Sequence, residues 1–272
     1  MSVLDRIVEH KRGEVARRKR GPAVAEAGGE LNQPALDFRG AVRRPGLSLI
    51  AEIKRRSPSR GWIGPDVDVE TQAARYRQGG AAALSVLTDE AFFGARPDDL
   101  ARAKAASGLP TLRKDFIVDP WQVCESKGMG ADAVLLIVAA LPDAAMRECL
   151  HVASALGLVV LVEVHNDSEL DRAVDAGAEL VGVNNRDLRT FAVDLERGLR
   201  MRERIPAHCL AVAESGIRTP ADVQAVRRAG FDAVLIGEAL MESPDPARLI
   251  RELLTDDSAS SKRAARAYGH SP

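Results

Sequence analysis

The chain has 272 residues, 46% of them hydrophobic, and its 38 Lys and Arg against 39 Asp and Glu leave a formal charge of −1. A single domain of roughly this size removes about 75% of its unfolded surface from water, so no disulfide or metal staple is required. The charge balance speaks against a nucleic-acid binder, which carries a basic excess over its domain, yet a few local charges suffice for a small anionic ligand.

Residues 2–20 form the first predicted element, a charged helical stretch with Val3, Leu4, Ile7, Val8 and Val15 at near-helical spacing. Its Arg17-Arg18-Lys19-Arg20 end reads as a solvated helix C-terminus whose charges complement the dipole. From residue 47 to 254 one pattern recurs: a short aliphatic run, a polar end, then an amphipathic helical stretch. The runs are residues 47–53, 83–87, 110–112, 133–138, 158–164, 180–183, 210–213 and 233–236. Helical stretches follow at 69–78, 97–106, 121–129, 142–156, 168–176, 195–204, 220–229 and 246–254. Residues 255–272, rich in Ser and Ala and lacking apolar periodicity, read as a disordered tail.

The runs are apolar almost throughout, which marks strands buried on both faces, as in a parallel sheet. Gly130-Ala131-Asp132-Ala133-Val134, Gly177-Ala178-Glu179-Leu180-Val181 and Gly230-Phe231-Asp232-Ala233-Val234 each set a glycine where a helix stops and a strand begins. Eight β-then-α units predict an α/β fold, a closed (β/α)8 TIM barrel with an extra N-terminal helix, for which ~250 residues is typical. The competing doubly wound open sheet normally carries a G-x-G-x-x-G turn after an early strand, and none occurs here. The expected organisation is a helical extension at 1–46 packed on a catalytic barrel at 47–254, followed by the tail.

In such barrels the active site forms at the C-terminal ends of the strands. The first strand ends Glu52-Ile53-Lys54; side chains alternate, so an acid and an ammonium share one face. The third gives Arg113-Lys114-Asp115, the fifth Glu163-Val164-His165, the sixth Asn184-Asn185-Arg186, the seventh Glu214-Ser215-Gly216 and the eighth Gly237-Glu238. Any one such charge reads as a solvated cap. Glu52 and Glu163 follow apolar runs, however, and a carboxylate near a buried strand needs partners or its pKa climbs. Loops after the seventh and eighth strands of these barrels frequently hold phosphate on backbone N–H groups. Glu238 would contribute its backbone there, since its side chain repels an anion. Residues 57–61 look like a mobile polar loop able to close over the anion.

Absences narrow the chemistry. The five histidines show no H-x-x-x-H or H-E-x-x-H spacing, which argues against a metal site. No G-x-S-x-G elbow appears, weakening acyl transfer. Cys124, Cys149 and Cys209 contain no C-x-x-C pair and fit a reducing cytoplasm, with Cys209 expected in the core. The N-terminus lacks the apolar segment of a signal peptide, and no run reaches the ~18 apolar residues of a membrane span.

Taken in order, Glu52-Ile53-Lys54-Arg55-Arg56-Ser57-Pro58-Ser59, Leu112-Arg113-Lys114-Asp115-Phe116, Leu161-Val162-Glu163-Val164-His165, Gly182-Val183-Asn184-Asn185-Arg186-Asp187-Leu188 and Ala213-Glu214-Ser215-Gly216-Ile217 resemble the indole-3-glycerol phosphate synthases. The resemblance spans nearly the whole chain, extra N-terminal helix included. It implies a cofactor-free lyase of tryptophan biosynthesis acting on 1-(2-carboxyphenylamino)-1-deoxyribulose 5-phosphate, a small phosphorylated substrate, without nucleic-acid or membrane partners. Homo-oligomeric contacts are left open.

The resemblance further implies residue roles. Lys114 would be the general acid for condensation, with Glu163 its charged neighbour. Lys54, paired with Glu52, would hold the substrate carboxylate and serve in dehydration. Asn184 and Arg186 would position Glu163, the substrate hydroxyls or the barrel mouth, and Ser215 matches a ligand-contacting serine. Arg56, Ser57, Gly216 and Gly237 would grip the phosphate, and Phe93 would pack on the anthranilate ring. One motif departs from the family: Phe92-Phe93-Gly94 is followed by Ala95-Arg96, where Gly-Ser is usual, and the added Arg is expected to reshape that loop. Two other readings compete on residues alone. One is a Schiff-base aldolase using Lys114 or Lys54; the other is a barrel that only binds a phosphorylated metabolite.

Overall fold

The computed structural model describes residues 2–20, 35–187 and 190–255. Eight parallel strands close a barrel: β1 (Ser48–Ile53), β2 (Ala83–Leu87), β3 (Thr111–Lys114), β4 (Ala133–Ile137), β5 (Val159–Val164), β6 (Leu180–Asn184), β7 (Leu210–Glu214) and β8 (Ala233–Ile236). Each pairs with its chain neighbours, and β8 closes on β1 through Ser48 opposite Ala233 and Ala51 opposite Ile236. This is the expected TIM barrel.

Helices cover its outside: α3 (Val69–Gly79), α5 (Asp99–Ser107), α6 (Trp121–Gly128), α7 (Asp143–Ala155), α8 (Asp167–Asp175), α9 (Leu195–Arg202), α10 (Pro220–Arg228) and α12 (Pro246–Leu254), with one-turn helices α4 (Glu90–Phe93) and α11 (Glu238–Glu242) after β2 and β8. Before the barrel come α1 (Val3–Arg18) and α2 (Phe38–Val42). No helix among the described residues is long and apolar enough to cross a membrane. Residues 256–272, expected as a disordered tail, lie outside the described residues.

Period-2 alternation sorts the strand side chains into two cores. Val134, Leu136, Val162, Val181, Ala211 and Val234 face the helices. Ile50, Ala83, Leu112, Leu135, Leu161, Leu180, Val212 and Leu235 belong to an inner cluster that also holds Phe38 and Val42 of α2 and Ile7 and Val8 of α1. The glycine motif does more than end helices. Gly130 is left-handed at φ 85°, and Asp132 two residues on, fully buried, accepts Thr111 N at 2.8 Å and so ties β4 to β3.

Two expectations need correction. β3 reaches Lys114 rather than stopping at residue 112, because its charges find buried partners: the Arg113 guanidinium bonds Asp115 at 2.9 Å, Ser126 Oγ at 3.0 Å and Gln122 O at 3.2 Å. The basic end of α1 is docked rather than simply solvated. Arg18 pairs with Glu125 at 2.5 Å and lies over the Trp121 ring, and Lys19 meets Asp119 at 2.7 Å.

Candidate active site

The ionisable layer sits just beneath the mouth, where the odd-numbered strands each contribute one side chain: Glu52 from β1, Lys114 from β3, Glu163 from β5 and Glu214 from β7. Layers built from alternate strands are the packing habit of this barrel. The three carboxylates are only 5%, 2% and 2% exposed, so each depends on neighbours for its charge. Lys114 Nζ supplies one, 2.6 Å from Glu163 Oε2 and 3.0 Å from Glu214 Oε2. Lys54 Nζ lies 2.7 Å from Glu52 Oε1. The even strands give way to make room. A Cβ on Gly182 would fall 2.1 Å from Glu214 Oε1, and one on Gly237 would fall 2.3 Å from Glu52 Oε1.

A support ring fixes Glu163. Asn184 Nδ2 donates to its Oε1 at 3.1 Å, and Asn184 Oδ1 in turn accepts Arg186 N at 3.0 Å. His165 Nε2 stands 3.2 Å from the same Oε1, while its Nδ1 meets Glu169 Oε2 at 3.0 Å. Burial opposes every charge here, and the neighbours decide the outcome. Lys114 is desolvated, but Glu163 and Glu214 hold its ammonium well above the usual lysine range. Glu163 is likewise desolvated, yet Lys114 and His165 keep it below the carboxylate range. Burial also opposes charge on His165, and Glu163 and Glu169 outweigh it, moving the imidazole up to about 9. Glu214 goes the other way: burial, reinforced by Glu163 and only partly offset by Lys114, pushes it up to about 7. One ammonium therefore bridges an ionised carboxylate and one that titrates near neutrality.

Above the layer opens a cavity of about 460 Å³ with two unlike sides. Toward β2–β4 the walls are apolar: Phe93, Phe116, Leu135 and Ile137, roofed by Val3, Leu4 and Ile7 of α1. The Phe93 and Phe116 rings are 5.9 Å apart. Toward β7, β8 and β1 the polar and glycine residues gather, Ser57, Ser59, Arg60, Ser215, Gly216, Arg218 and Gly237, beside the apolar Phe191, Val193 and Ile217. Ser215 and Gly216 are both left-handed, at φ 64° and 78°. Ser215 holds this uncommon conformation with Asn185 Nδ2 donating to its carbonyl at 2.9 Å. A Cβ on Gly216 would meet Val193 at 2.4 Å. The one-turn α11 follows directly on Gly237, the position of the short extra helix that helps hold phosphate in many such barrels.

The structure brings together Glu52, Lys54, Ser57, Phe93, Lys114, Glu163, Asn184, Arg186, Ser215, Gly216, Gly237 and Glu238, all lining this cavity. It does not bring Arg56. In the two-residue strand Arg56–Ser57, paired antiparallel with Gly61–Trp62, neighbours face opposite ways. Ser57 turns inward, and the Arg56 guanidinium lies over Trp62, 5.6 Å from the ring centroid. The same pairing shapes residues 57–61 into a hairpin rather than an open loop. Glu238 points its carboxylate at Arg186, 2.8 Å away. Arg96 leaves the cavity alone, its guanidinium donating to Pro65 O at 3.3 Å and its N–H to Asp99 at 2.7 Å. Cys209 is buried, as expected.

Three contributors have no role in the sequence reading, Glu214, Phe116 and Arg218, and Arg60 enters it only as part of the 57–61 loop. Glu214 carried the signal that singled out Glu52 and Glu163, a preceding apolar run, here at 210–213. Phe116 lies beyond its strand, and Arg60 and Arg218 reach the cavity from loops, so strand alternation says nothing of where they point.

The comparisons agree with one another. A family model described as indole-3-glycerol phosphate synthase matches residues 4–253. The chain is 50% identical over 256 residues to the indole-3-glycerol phosphate synthase of Chlorobium chlorochromatii, covering 92% of this chain and 99% of that one. It is 49% identical over 257 residues to that of Aromatoleum aromaticum, covering 92% and 98%. Among solved structures it is similar to a 3-hexulose-6-phosphate synthase, with TM-score 0.59 and 19% identity over 76% of this chain and 98% of that one. A thiamine phosphate pyrophosphorylase from Pyrococcus furiosus matches with TM-score 0.57 and 18% identity, covering 82% and 98%. These two speak to the fold alone.

Proposed function

The chain belongs to the indole-3-glycerol phosphate synthase family, and on that premise we propose that it converts 1-(2-carboxyphenylamino)-1-deoxyribulose 5-phosphate to indole-3-glycerol phosphate, carbon dioxide and water. The observation that carries this reading is the position of Lys114, its ammonium held between Glu163 and Glu214 on the floor between an aromatic wall and a glycine-lined one. An anthranilate ring suits the first wall and a phosphate the second.

The proton balance assigns the roles. The ring carbon attacks the ketone carbon, and Lys114 delivers a proton to the developing alkoxide. Carbon dioxide leaves with its bonding pair returned to the ring. The new hydroxyl then departs as water after taking a second proton, and loss of one C–H proton completes the pyrrole. Two protons are consumed and one is returned, so each turnover takes up one. A carboxyl group protonated near neutrality is a fitting source, and Glu214 is pushed toward that state. Glu163, kept ionised, stabilises the cationic neighbour and would accept the C–H proton once Lys114 has given up its own and no longer lowers its basicity. Lys54, carried by Glu52, would hold the substrate carboxylate and assist dehydration. Ser57, Ser215, Gly216 and Gly237 would take the phosphate. The balance closes without oxidant or reductant.

A Schiff-base aldolase fits less well, because a nucleophilic lysine must lose its proton, whereas Lys114 is held charged. We assign the chemistry to residues 47–254, with α1 of the extension at 1–46 roofing the ring side, and place the enzyme in the cytoplasm with its small phosphorylated substrate as partner. Incubation with the carboxyphenylamino-deoxyribulose phosphate should produce indole fluorescence, and Lys114→Met should abolish it while the far-UV spectrum stays unchanged. Absence of product from the unmodified protein overturns the reading.

A further inference from the structure

Outside the catalytic layer the molecule buries a second set of charges. Lys11 of α1 has a side chain only 1% exposed, on the helix expected to pack on the barrel but at a position given no role there. Its Nζ is 2.8 Å from Asp89 Oδ2, 3.0 Å from Asp115 Oδ1 and 2.9 Å from Glu14 Oε2, the two aspartates being 0% and 1% exposed. Asp115 is also held by Arg113 at 2.9 Å and Thr88 Oγ1 at 2.7 Å, and Arg113 continues to Glu125 at 2.9 Å. A lone lysine at such a depth is costly, and this one is kept charged by its carboxylates.

Each aspartate belongs to a piece of the cavity wall. Asp89 caps α4, its Oδ1 accepting Phe92 N at 2.7 Å, and α4 carries Phe93. Asp115 lies between Lys114 and Phe116 and itself borders the cavity. Lys11 sits one turn beyond Ile7 on the helix whose Val3, Leu4 and Ile7 form the roof. One ammonium thus joins three of the elements that make the apolar side, leaving only β4 outside it.

We propose that Lys11 is the positioning residue of this ring-binding side: by drawing Asp89 and Asp115 onto one charge it sets the roof helix, Phe93 and Phe116 at a fixed spacing. The inference rests on the anthranilate ring occupying that side. It makes a selective forecast, because Lys114 is held independently by Glu163 and Glu214, and the glycine-lined side lies across the barrel. Loss of a contact made equally in ground and transition states raises KM and spares kcat.

The test compares Lys11→Met and Asp89→Asn with the unmodified enzyme. The Asn variant keeps the oxygen that caps Phe92 and loses only the charge, so it serves even if Lys11→Met folds poorly. In both, KM for the carboxyphenylamino-deoxyribulose phosphate should rise about tenfold, kcat should stay within about threefold, and inhibition by inorganic phosphate should stay within about twofold. Amide hydrogen exchange should quicken over residues 3–18 and not over the barrel strands. A lower melting temperature with unchanged KM overturns the proposal, as does phosphate inhibition that weakens in step with KM. If the unmodified enzyme makes no product, the functional reading fails on its own. Exchange over residues 3–18 then still decides whether Lys11 fixes the roof helix, which is refuted by an unchanged rate in Lys11→Met.

Discussion

Glu163 and Glu214 share one ammonium yet sit in opposite electrostatic situations, and that difference is the site's chemical content. Glu163 has Lys114 on one oxygen and Asn184 and His165 beside the other. Replacing it by Gln keeps the shape and removes the charge; turnover should fall at least ~10²-fold with substrate affinity little changed. A mere structural ion pair would instead lower the melting temperature and leave the single-turnover rate intact, so both are measured on the same variant. Glu214 lacks such a surround and is pushed up to about 7 by burial. If its protonated form supplies the net proton, kcat/KM declines as pH rises through about 7. Glu214→Gln can accept and donate hydrogen bonds but cannot release a proton, so its profile should lose that limb and run lower throughout. A limb surviving in Glu214→Gln assigns it to another group.

At the scale of elements, the even strands serve the odd ones. β6 sets Gly182 against the Glu214 carboxylate, and the residue after β8 is Gly237, against that of Glu52. Neither glycine is left-handed; both are needed because a carboxylate occupies the space of a side chain. Gly182→Ala would press a methyl 2.1 Å from Glu214 Oε1 and drive that carboxylate off Lys114. Since misplacement of a catalytic group by ~1 Å costs about 10²-fold, turnover should drop by one to two orders of magnitude, roughly, while β6 keeps its pairing and the fold its cooperativity. Steady-state kinetics beside thermal unfolding check this, and a normal rate would show that Glu214 has room to spare. The hairpin after β1 illustrates the same economy of alternation, turning Ser57 in and Arg56 out.

Across the whole molecule, the charge network through Lys11, Asp115, Arg113 and Glu125 ties α1 to β3 and α6. Breaking a buried pair from one side leaves an uncompensated charge, so Arg113→Met should cost about 3–5 kcal/mol in urea unfolding. The pH dependence has a definite sign. Burial opposes the charge of Asp115, but Arg113 and Lys11 hold its pKa far below the ordinary value of 3.8. Its contribution is complete above that unfolded value and is lost as pH falls below it. Wild-type stability should therefore drop on acidification below about pH 4, more steeply than that of Arg113→Met. Parallel slopes would place the acid sensitivity elsewhere.

The eight-fold repeat, the order of strand ends and most of the candidate site were legible in the chain, because hydrophobic period and glycine punctuation are local and because a barrel strand delivers whatever residue stands at its C-terminal end. Glu52, Lys114, Glu163 and Asn184 stand at or just past the ends of the predicted strands, while their roles come from the family resemblance, since singly each charge reads as a solvated cap. What alternation cannot report is the partner across the barrel. That Lys114 chooses both Glu163 and Glu214, residues 49 and 100 positions away, depends on strand stagger in the closed sheet. That Arg56 turns out to Trp62 depends on a two-residue hairpin, and that Arg96 turns out to Pro65 depends on its loop. Lys11 is the sharpest case. On α1 it stands on the apolar stripe of Ile7, Val8 and Val15, so helical spacing points it at the barrel but names no partner; only the aspartates brought beneath it by β3 and by the turn after β2 make its burial favourable. Local periodicity decides which face a side chain takes, whereas a buried charge is decided by the distant groups that tertiary folding sets around it.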